Sequence, residues 1–283
     1  MRLGYNTNGL AFHRWPDALE LLADVGYESV AITLDHNCLD PYAAGVAAEV
    51  GRMASALGRL KLASVIETGA RFLLNPRAKH EPTLMSAGRD ERALRIDFLK
   101  RAVDIASDLG SDAVSFWSGT LREPLAAEAA MARLAGGCAE VISHAAARKM
   151  KLAFEPEPGM FIETFAQYEQ LLEQVDAPLF GLTIDIGHVH CVESGPIGDY
   201  LRRWASRLYN VHIEDMRKGV HEHLRFGEGE IDFGPVMQAL ADVDYRGGVH
   251  VELSRHSHRA PEVVQESFDC LNRLRRISKS PPA

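Results

Sequence analysis

The sequence predicts one α/β domain of the (β/α)8 barrel class that extends over residues 1–283. The length suits a single large barrel, because barrels of about 250 residues commonly remain one domain. Short apolar runs alternate with longer amphipathic runs along the chain, which is typical of strand–helix units. Eight such units are present, as a closed barrel requires. An open doubly wound sheet is the alternative, but no GxGxxG turn follows the first strand.

Each predicted strand is a short apolar run, and each predicted helix carries apolar residues at helical spacing. Glycines end several helices, as Gly26 does after the first helix and Gly110 after the third. The predicted strands are residues 3–6, 29–33, 62–66, 113–117, 151–154, 179–184, 208–213 and 248–253. The predicted helices are residues 16–25, 41–57, 91–109, 124–148, 164–174, 200–207, 235–243 and 261–277.

Three stretches fall outside this alternation. Residues 67–89 carry Gly, Pro, Asn and basic side chains without clear periodicity, so we expect a functional excursion over one face of the domain. Residues 214–231 are predicted to form a polar loop. Residues 278–283 are predicted to be a short frayed tail.

The composition excludes several classes of protein. The 46% hydrophobic and 25% charged residues are ordinary for a globular domain. A formal net charge of −8 argues against a nucleic-acid surface, which needs Lys and Arg to neutralise phosphates. The four cysteines show no CxxC spacing, so neither a zinc ribbon nor a disulfide framework is expected. No signal peptide or long apolar segment is visible, and we expect a cytoplasmic protein that does not enter a membrane.

Four phrases in the second half of the chain share one pattern. They are FEPEPG at 154–159, TIDIGH at 183–188, NVHIED at 210–215 and VHVELS at 249–254. In each phrase a short apolar run ends in a carboxylate or an imidazole, at Glu155, Asp185, His212 and Glu252. These residues end predicted strands five to eight, and active sites of barrels lie at the carboxyl ends of the strands. We therefore expect the four side chains to converge on one point.

Three carboxylates and one imidazole that converge are a donor set for a divalent metal. A lone Asp after a strand usually caps a helix or completes a turn, so the signal lies in four such residues together. Hard oxygen ligands with one imidazole suit Mn²⁺, Zn²⁺, Mg²⁺ or Co²⁺ and disfavour Cu⁺. The sequence therefore predicts a divalent-metal site.

Together with FGEGEIDF at 226–233, the four phrases resemble the xylose isomerase-like TIM barrel superfamily. Its members include sugar and sugar-phosphate isomerases and epimerases, inosose dehydratases, and enzymes of the endonuclease IV type in AP endonuclease family 2. The resemblance implies that the catalytic metal is held by Glu155, Asp185, His212 and Glu252. It also implies that His188 contacts a substrate oxygen, and it leaves Glu157 to bind substrate or to support the ligands.

The endonuclease branch of this superfamily implies a candidate second metal site. In that branch the residue at the position of His188 binds an outer metal, together with an acidic residue and a histidine spaced by two. Here His221 and His223 stand at those positions, so His188, His221 and His223 form the candidate second site. Two histidines at this spacing in a solvated loop usually have no such role.

A third metal in the endonuclease branch needs histidines at the ends of strands three and four. This chain has Glu67 and Trp117 there. Glu67 can still offer an oxygen, but Trp117 cannot bind a metal, so a trinuclear centre is not expected. Trp117 is interpreted either as a stacking surface for a sugar-like ring or as simple packing at the barrel rim.

The resemblance implies a metal-dependent isomerase or epimerase of a sugar, a sugar phosphate or a cyclitol-like hydroxyketone. The metal would stabilise an enediolate while Glu155 and Glu252 remove and return a proton and His188 orients the carbonyl. The predicted substrate contacts are Glu157, Trp117, Glu67 and Arg225. Arg71 and Lys218 are alternatives to Arg225 for meeting an anionic group, although exposed cations are usually just solvated.

Three alternatives stay open at this point. A dehydratase would use the same enediolate and expel a hydroxyl group instead of returning the proton. A multinuclear phosphodiester hydrolase of the endonuclease IV type is favoured by the three histidines and disfavoured by the net charge and by Trp117. A non-catalytic metal- or metabolite-binding barrel is the third alternative, because a fold does not dictate activity. A homodimer is compatible with all of them, since related barrels often pair through their helical faces.

Overall fold

Eight parallel strands close into a barrel in the computed structural model, which describes residues 1–277. Neighbouring strands follow chain order, and the first and last barrel strands complete the circle, with Tyr5 opposite Val251. The barrel strands are β1 (Arg2–Asn6), β2 (Ser29–Thr33), β3 (Ala63–Glu67), β4 (Val114–Phe116), β5 (Leu152–Phe154), β6 (Phe180–Asp185), β7 (Leu208–Ile213) and β10 (Gly248–Val251). The predicted (β/α)8 barrel is thus confirmed, while the tail predicted at 278–283 lies outside the described residues.

Helices alternate with the barrel strands along the described chain. They are α1 (Trp15–Val25), α2 (Val46–Leu60), α3 (Arg89–Leu109), α4 (Ala127–Ala147), α5 (Phe165–Val175), α6 (Ile186–Val192), α7 (Ile197–Arg203), α8 (Phe233–Asp242) and α9 (Ala260–Ile277). Local signals fix several of their ends. Gly26 ends α1 at φ 109°, a left-handed conformation that glycine adopts without steric cost. Thr164 begins α5 through a capping box with Gln167.

An apolar layer between the strands and the helices holds the barrel together. Phe116 and Phe154, on neighbouring strands, meet edge to face with ring centroids 5.3 Å apart. Phe154 also stacks on Tyr168 of α5 at 5.8 Å, which ties the sheet to the helix outside it. Aromatic pairs at these separations add to the stabilisation that comes from burying their apolar surface.

The polar loop predicted at 214–231 is wrong in part, because it contains an antiparallel hairpin. Strand β8 (Asp215–Arg217) pairs with β9 (Val220–Leu224), and Gly219 adopts a φ of 71° in the turn between them. Both strands are short and carry mostly polar side chains, so the apolar alternation that reveals a strand is absent. This hairpin projects beyond the carboxyl end of β7.

Several helices also differ from the prediction. Helix α2 begins at Val46, five residues after the predicted start at residue 41. The helix predicted at 200–207 is α7, which ends at Arg203 and is followed by a 3-10 turn at Ala205–Arg207. The short helix α6 directly after β6 was not predicted, because its seven residues are too few to show a helical period.

The inside of the barrel holds a polar network rather than a purely apolar core. The ring of His250 lies between Ser29 and Asn210, with Nε2 2.9 Å from the Ser29 hydroxyl oxygen and Nδ1 2.8 Å from the Asn210 amide oxygen. A Cβ at Gly4 would come within 2.3 Å of the His250 ring, so this position of β1 has no room for a side chain. Among residues 1–277, no helix is both long enough and apolar enough to cross a membrane.

Candidate metal centre and active site

The structure brings together the four residues that were expected to converge. Glu155 follows β5, Asp185 ends β6, His212 lies near the end of β7 and Glu252 follows β10. Each residue offers a ligand atom within 4.8 Å of those of the other three. Asp185 and His212 are register partners in neighbouring strands, which explains how residues 27 apart in sequence meet. We call this set the four-residue centre.

The His212 ring is clamped between carboxylates on both sides. Its Nδ1 lies 2.9 Å from Glu252 and 3.1 Å from Glu155. Its Nε2 lies 2.9 Å from Glu67, which also accepts a hydrogen bond of 3.2 Å from the Asn210 amide. In the neutral ring Nε2–H therefore donates to Glu67, and Nδ1 directs its lone pair at the four-residue centre. This is the arrangement in which a carboxylate orients a metal-binding histidine.

The electrostatics of the four-residue centre demand a positive charge. Burial opposes a charged imidazole, yet the carboxylates of Glu67, Glu155 and Glu252 raise the pKa of His212 well above its ordinary value. Burial likewise opposes a charged Glu252, but His212 lowers the pKa of that carboxyl below its ordinary value. A proton on His212 and a divalent cation are two ways of supplying the same charge. The donor set of carboxylate oxygens and one imidazole therefore fits a divalent metal ion.

Two carboxyl groups, Glu155 within this centre and Glu157 beside it, keep their protons more readily than usual. Burial and the neighbouring Glu155 and Glu252 charges raise the pKa of Glu157 to about 8. Burial raises the pKa of Glu155 to about 7, and contact with His212 opposes that rise. The imidazole of His188 shows the opposite effect of burial, which lowers its pKa to about 3. At neutral pH His188 is therefore an uncharged ring, and Glu157 is mostly protonated.

A cavity of about 250 Å³ opens above the four-residue centre. Among the residues predicted to act on substrate, it is lined by Glu67, Trp117, Glu155, Glu157, His188 and Glu252. Its volume is below the roughly 300–1,000 Å³ of drug-sized ligand sites, which suits a small metabolite. Trp117 forms part of one wall, and the buried Arg95 guanidinium lies 4.7 Å from its ring. This cation–π contact holds the indole in place.

The structure argues against the predicted substrate contact of Arg225. Its guanidinium bonds to Glu228 and to Glu266, and it does not line the cavity. Lys218 is likewise directed elsewhere and donates to the backbone oxygen of Glu193. Arg71 does line the cavity, where Asp35 pairs with it at 3.5 Å. The hairpin within residues 214–231 explains why Lys218 and Arg225 bond to partners outside the cavity.

Arg255 and Asn210 belong to the site but were missed in the sequence. Arg255 lines the cavity and pairs with Glu222 of the hairpin at 2.9 Å. It follows Glu252 by three residues, in a segment whose 3-10 conformation sequence patterns do not reveal. Asn210 was detectable, because it precedes His212 by two residues and alternate strand residues share a face.

The three histidines of the candidate second site also meet. The ring centroid of His188 lies 4.7 Å from that of His221 and 5.6 Å from that of His223. Strand β9 carries the latter two histidines over the mouth of the barrel. Glu214, which was missed, lies beneath them and is fully buried. Burial and the nearby Asp185 carboxylate raise the pKa of Glu214 well above its ordinary value.

Fold and site together define a (β/α)8 barrel with a candidate divalent-metal centre at the carboxyl ends of its strands. The model of the xylose isomerase-like TIM barrel family matches residues 19–274. The chain therefore belongs to this family, and the resemblance found in the sequence is confirmed.

Curated relatives of the chain include a dehydratase and an epimerase. An inosose dehydratase of Geobacillus kaustophilus is 26% identical over 234 residues, which are 75% of this chain and 63% of that protein. The chain thus spans less than two thirds of the length of this relative. An L-ribulose-5-phosphate 3-epimerase of Salmonella typhi is 23% identical over 242 residues, which are 84% of this chain and 82% of that protein.

Solved structures share the whole fold. A crystal structure of IolI protein with a bound zinc atom has a TM-score of 0.79 at 18% identity and covers 99% of this chain and 100% of its own. A D-allulose 3-epimerase from a Methylomonas species has a TM-score of 0.77 at 18% identity and covers 97% of this chain and 98% of its own. At such identities these likenesses establish the fold and leave the activity to the site.

Proposed function

We propose that this protein is a divalent-metal-dependent isomerase or epimerase of a small sugar, sugar phosphate or cyclitol-like hydroxyketone. One observation carries the proposal: the ligand atoms of Glu155, Asp185, His212 and Glu252 converge within 4.8 Å at the floor of a small polar cavity. Relatives named as an inosose dehydratase and an L-ribulose-5-phosphate 3-epimerase support a small polyhydroxylated substrate.

The four-residue centre would hold one divalent cation, of the kind that oxygen and imidazole ligands prefer. Such a cation acts as a Lewis acid on a substrate carbonyl and makes the adjacent C–H bond more acidic. The carboxylate of Glu67 supports this centre through its contact with Nε2 of His212, and it also lines the cavity.

Glu252 and Glu155 are the proposed proton-transfer pair. Contact with His212 keeps Glu252 ionised although burial opposes its charge, and the Asn8 amide donates to Glu252 at 2.7 Å and orients the carboxylate as a base. The pKa of Glu155, raised by burial to about 7, lets this group hold a proton near neutral pH and return it. One carboxyl group that accepts a proton and another that donates one are what inversion of a carbon centre requires.

His188 and Trp117 would orient the substrate between these carboxyl groups. Neither ring nitrogen of the buried His188 has a hydrogen-bond partner within residues 1–277, although the ring lines the cavity. Its burial, which lowers its pKa to about 3, keeps the imidazole neutral, so it can donate to a substrate oxygen without adding charge. The indole of Trp117 offers a flat apolar surface to the face of a sugar-like ring.

The proposal is tested by solvent exchange at carbon. The protein, loaded with Mn²⁺, is incubated in D₂O with ketohexoses, ketopentose phosphates and inososes, and deuterium in the recovered compounds is measured by mass spectrometry. We expect deuterium next to the carbonyl of at least one compound. Exchange should fall about 10²–10⁴-fold in Glu252→Gln, because general-base catalysis typically contributes that much.

His212→Ala is the companion variant, and it should lose the metal and the exchange together. Arg225→Gln is the matched control, because Arg225 lies outside the cavity, and its exchange should match that of the parent. Unchanged metal content in His212→Ala would contradict the ligand assignment. Cleavage of a phosphodiester without any deuterium uptake would replace the proposal by the hydrolase alternative.

A further inference from the structure

Glu214 is a buried carboxylate that is not a member of the four-residue centre. The residue has no exposed surface, and neither side-chain oxygen has a hydrogen-bond partner in the described part of the chain. A carboxylate in this situation loses the stabilisation of water and gains nothing in return. The next residue, Asp215, is equally buried, but it accepts hydrogen bonds from the backbone of Met216, Gly227 and Ile231. The lack of hydrogen-bond partners is therefore a property of Glu214 and not of every buried carboxylate in this segment.

Two further potential metal-ligand atoms without hydrogen-bond partners in the described chain lie near Glu214. Nδ1 of His223 lies 3.8 Å from a Glu214 oxygen, too far for a hydrogen bond. That nitrogen and one oxygen of Asp185 are also without hydrogen-bond partners among residues 1–277. Ligand atoms of Asp185, Glu214 and His223 all lie within 4.8 Å of one another. Potential ligand atoms from three separate segments of the chain, none with a hydrogen-bond partner among the described residues, thus lie close together.

Gly187 makes room for this arrangement. A Cβ at Gly187 would lie 2.2 Å from Oε1 of Glu214, so a larger residue at this position of α6 would displace the carboxylate from its present place. The hairpin closes the other side, since β9 brings His223 over the barrel end. The site is therefore built by the fold, and its donors are two carboxylates and one imidazole.

We infer that Glu214, Asp185 and His223 form a second divalent-cation site, which shares Asp185 with the four-residue centre. Carboxylate and imidazole donors suit Zn²⁺ and Mn²⁺. A proton on Glu214 would serve one oxygen only, whereas a cation satisfies all three orphaned donors together. The inference depends on the proposed function only through the shared Asp185, and it requires no particular substrate.

This site differs from the three-histidine site expected from the endonuclease resemblance. His223 is common to both, but His221 is exposed and contributes no negative charge. Glu214 and Asp185 bring two negative charges from buried positions. A dication in a buried setting is stabilised more by two anionic ligands than by neutral imidazoles, because the interior screens charge weakly. Glu214 and His221 therefore distinguish the two sites experimentally.

The test counts metal ions per chain. The full-length protein is stripped with a chelator, reloaded with excess Zn²⁺, freed of unbound metal and measured by elemental analysis. We expect two equivalents in the parent, one in Glu214→Gln and two in His221→Gln. His223→Gln should also retain one, which gives an independent variant should Glu214→Gln fold poorly. Circular dichroism of the metal-free variants verifies that each is folded.

Three results would overturn the second site. They are a single equivalent in the parent, two equivalents in Glu214→Gln, or an equivalent lost in His221→Gln but kept in Glu214→Gln. The last result would favour the three-histidine site. Two equivalents in the parent without deuterium exchange on any compound would refute the proposed reaction and leave this inference standing, so the two failures are distinguishable.

Discussion

Replacing Glu67 by Gln should weaken metal binding although Glu67 is not one of the four ligands. The His212 Nε2–H donates to Glu67 across 2.9 Å, and this bond directs Nδ1 at the metal centre. Gln has the same size and keeps an oxygen for the Asn210 amide, but it removes the negative charge that makes His212 a better ligand. A hydrogen bond to a charged group is worth about 1.5–3 kcal/mol. Loss of a carboxylate behind a metal-binding histidine typically costs about 10–100-fold in affinity, or about 1.4–2.7 kcal/mol.

The affinity is measured by competition for Zn²⁺ between the protein and a chromophoric chelator. We expect the Kd of Glu67→Gln for the tighter site to rise by about 10–100-fold. Glu157→Gln is the matched control, because Glu157 lines the same cavity and makes neither a hydrogen bond nor an ion pair with His212 within residues 1–277. An affinity within twofold of the parent in Glu67→Gln would refute the supporting role. Because Glu157 is mostly protonated at neutral pH, an equal loss in Glu157→Gln would show that any carboxamide in this cavity, and not the lost bond to His212, lowers the affinity.

Two further predictions concern the cavity wall. Trp117→Ala should lower the free energy of unfolding by about 3 kcal/mol, because it leaves a cavity beside the buried Arg95, and Trp117→Phe should recover most of it in urea denaturation; a loss under 1 kcal/mol would contradict this. Burial lowers the pKa of His80 to about 4, so between pH 6.5 and 4 the unfolded chain binds more protons than the folded chain. The free energy of unfolding therefore decreases as the pH is lowered through this range. Between pH 6.5 and 5 the loss is at most about 2 kcal/mol for this half-buried ring, and His80→Asn should flatten the slope of Tm against pH; an unchanged slope would contradict it.

The barrel could be predicted because its signals are local and repeat eight times. Each strand is a short apolar run, and a glycine such as Gly26 ends a helix through its own backbone freedom. The hairpin β8–β9 escaped prediction because its pairing depends on contacts at the barrel mouth and not on apolar alternation. The consequence is local: Lys218 in the hairpin and Arg225 in the segment that follows it bond to partners outside the cavity, which the sequence did not reveal.

The four-residue centre could be anticipated because strand ends carry its members. A parallel barrel brings the carboxyl ends of all its strands to one rim. Four apolar runs that each end in a charged or imidazole side chain therefore indicate that these side chains meet in one site. Glu67 was expected to contact substrate, and it lines the cavity. Its contact with Nε2 of His212 was not predicted, because sequence does not reveal on which side of an imidazole a carboxylate lies. Glu214 is the single residue between β7 and β8 and has no sequence pattern of its own.

Charge balance links the two proposed cation sites. Glu67, Glu155, Asp185 and Glu214 are buried, and Glu252 is largely so. Two of the cations that line the cavity, Arg71 and Arg255, are paired with Asp35 and Glu222. Protons on imidazoles and carboxyl groups compensate some of this charge, but each proton so held makes a ligand unavailable to metal. Metal loading should therefore release protons. A proton release that is larger in the parent than in Glu214→Gln would show that Glu214 binds the second cation, independently of any turnover.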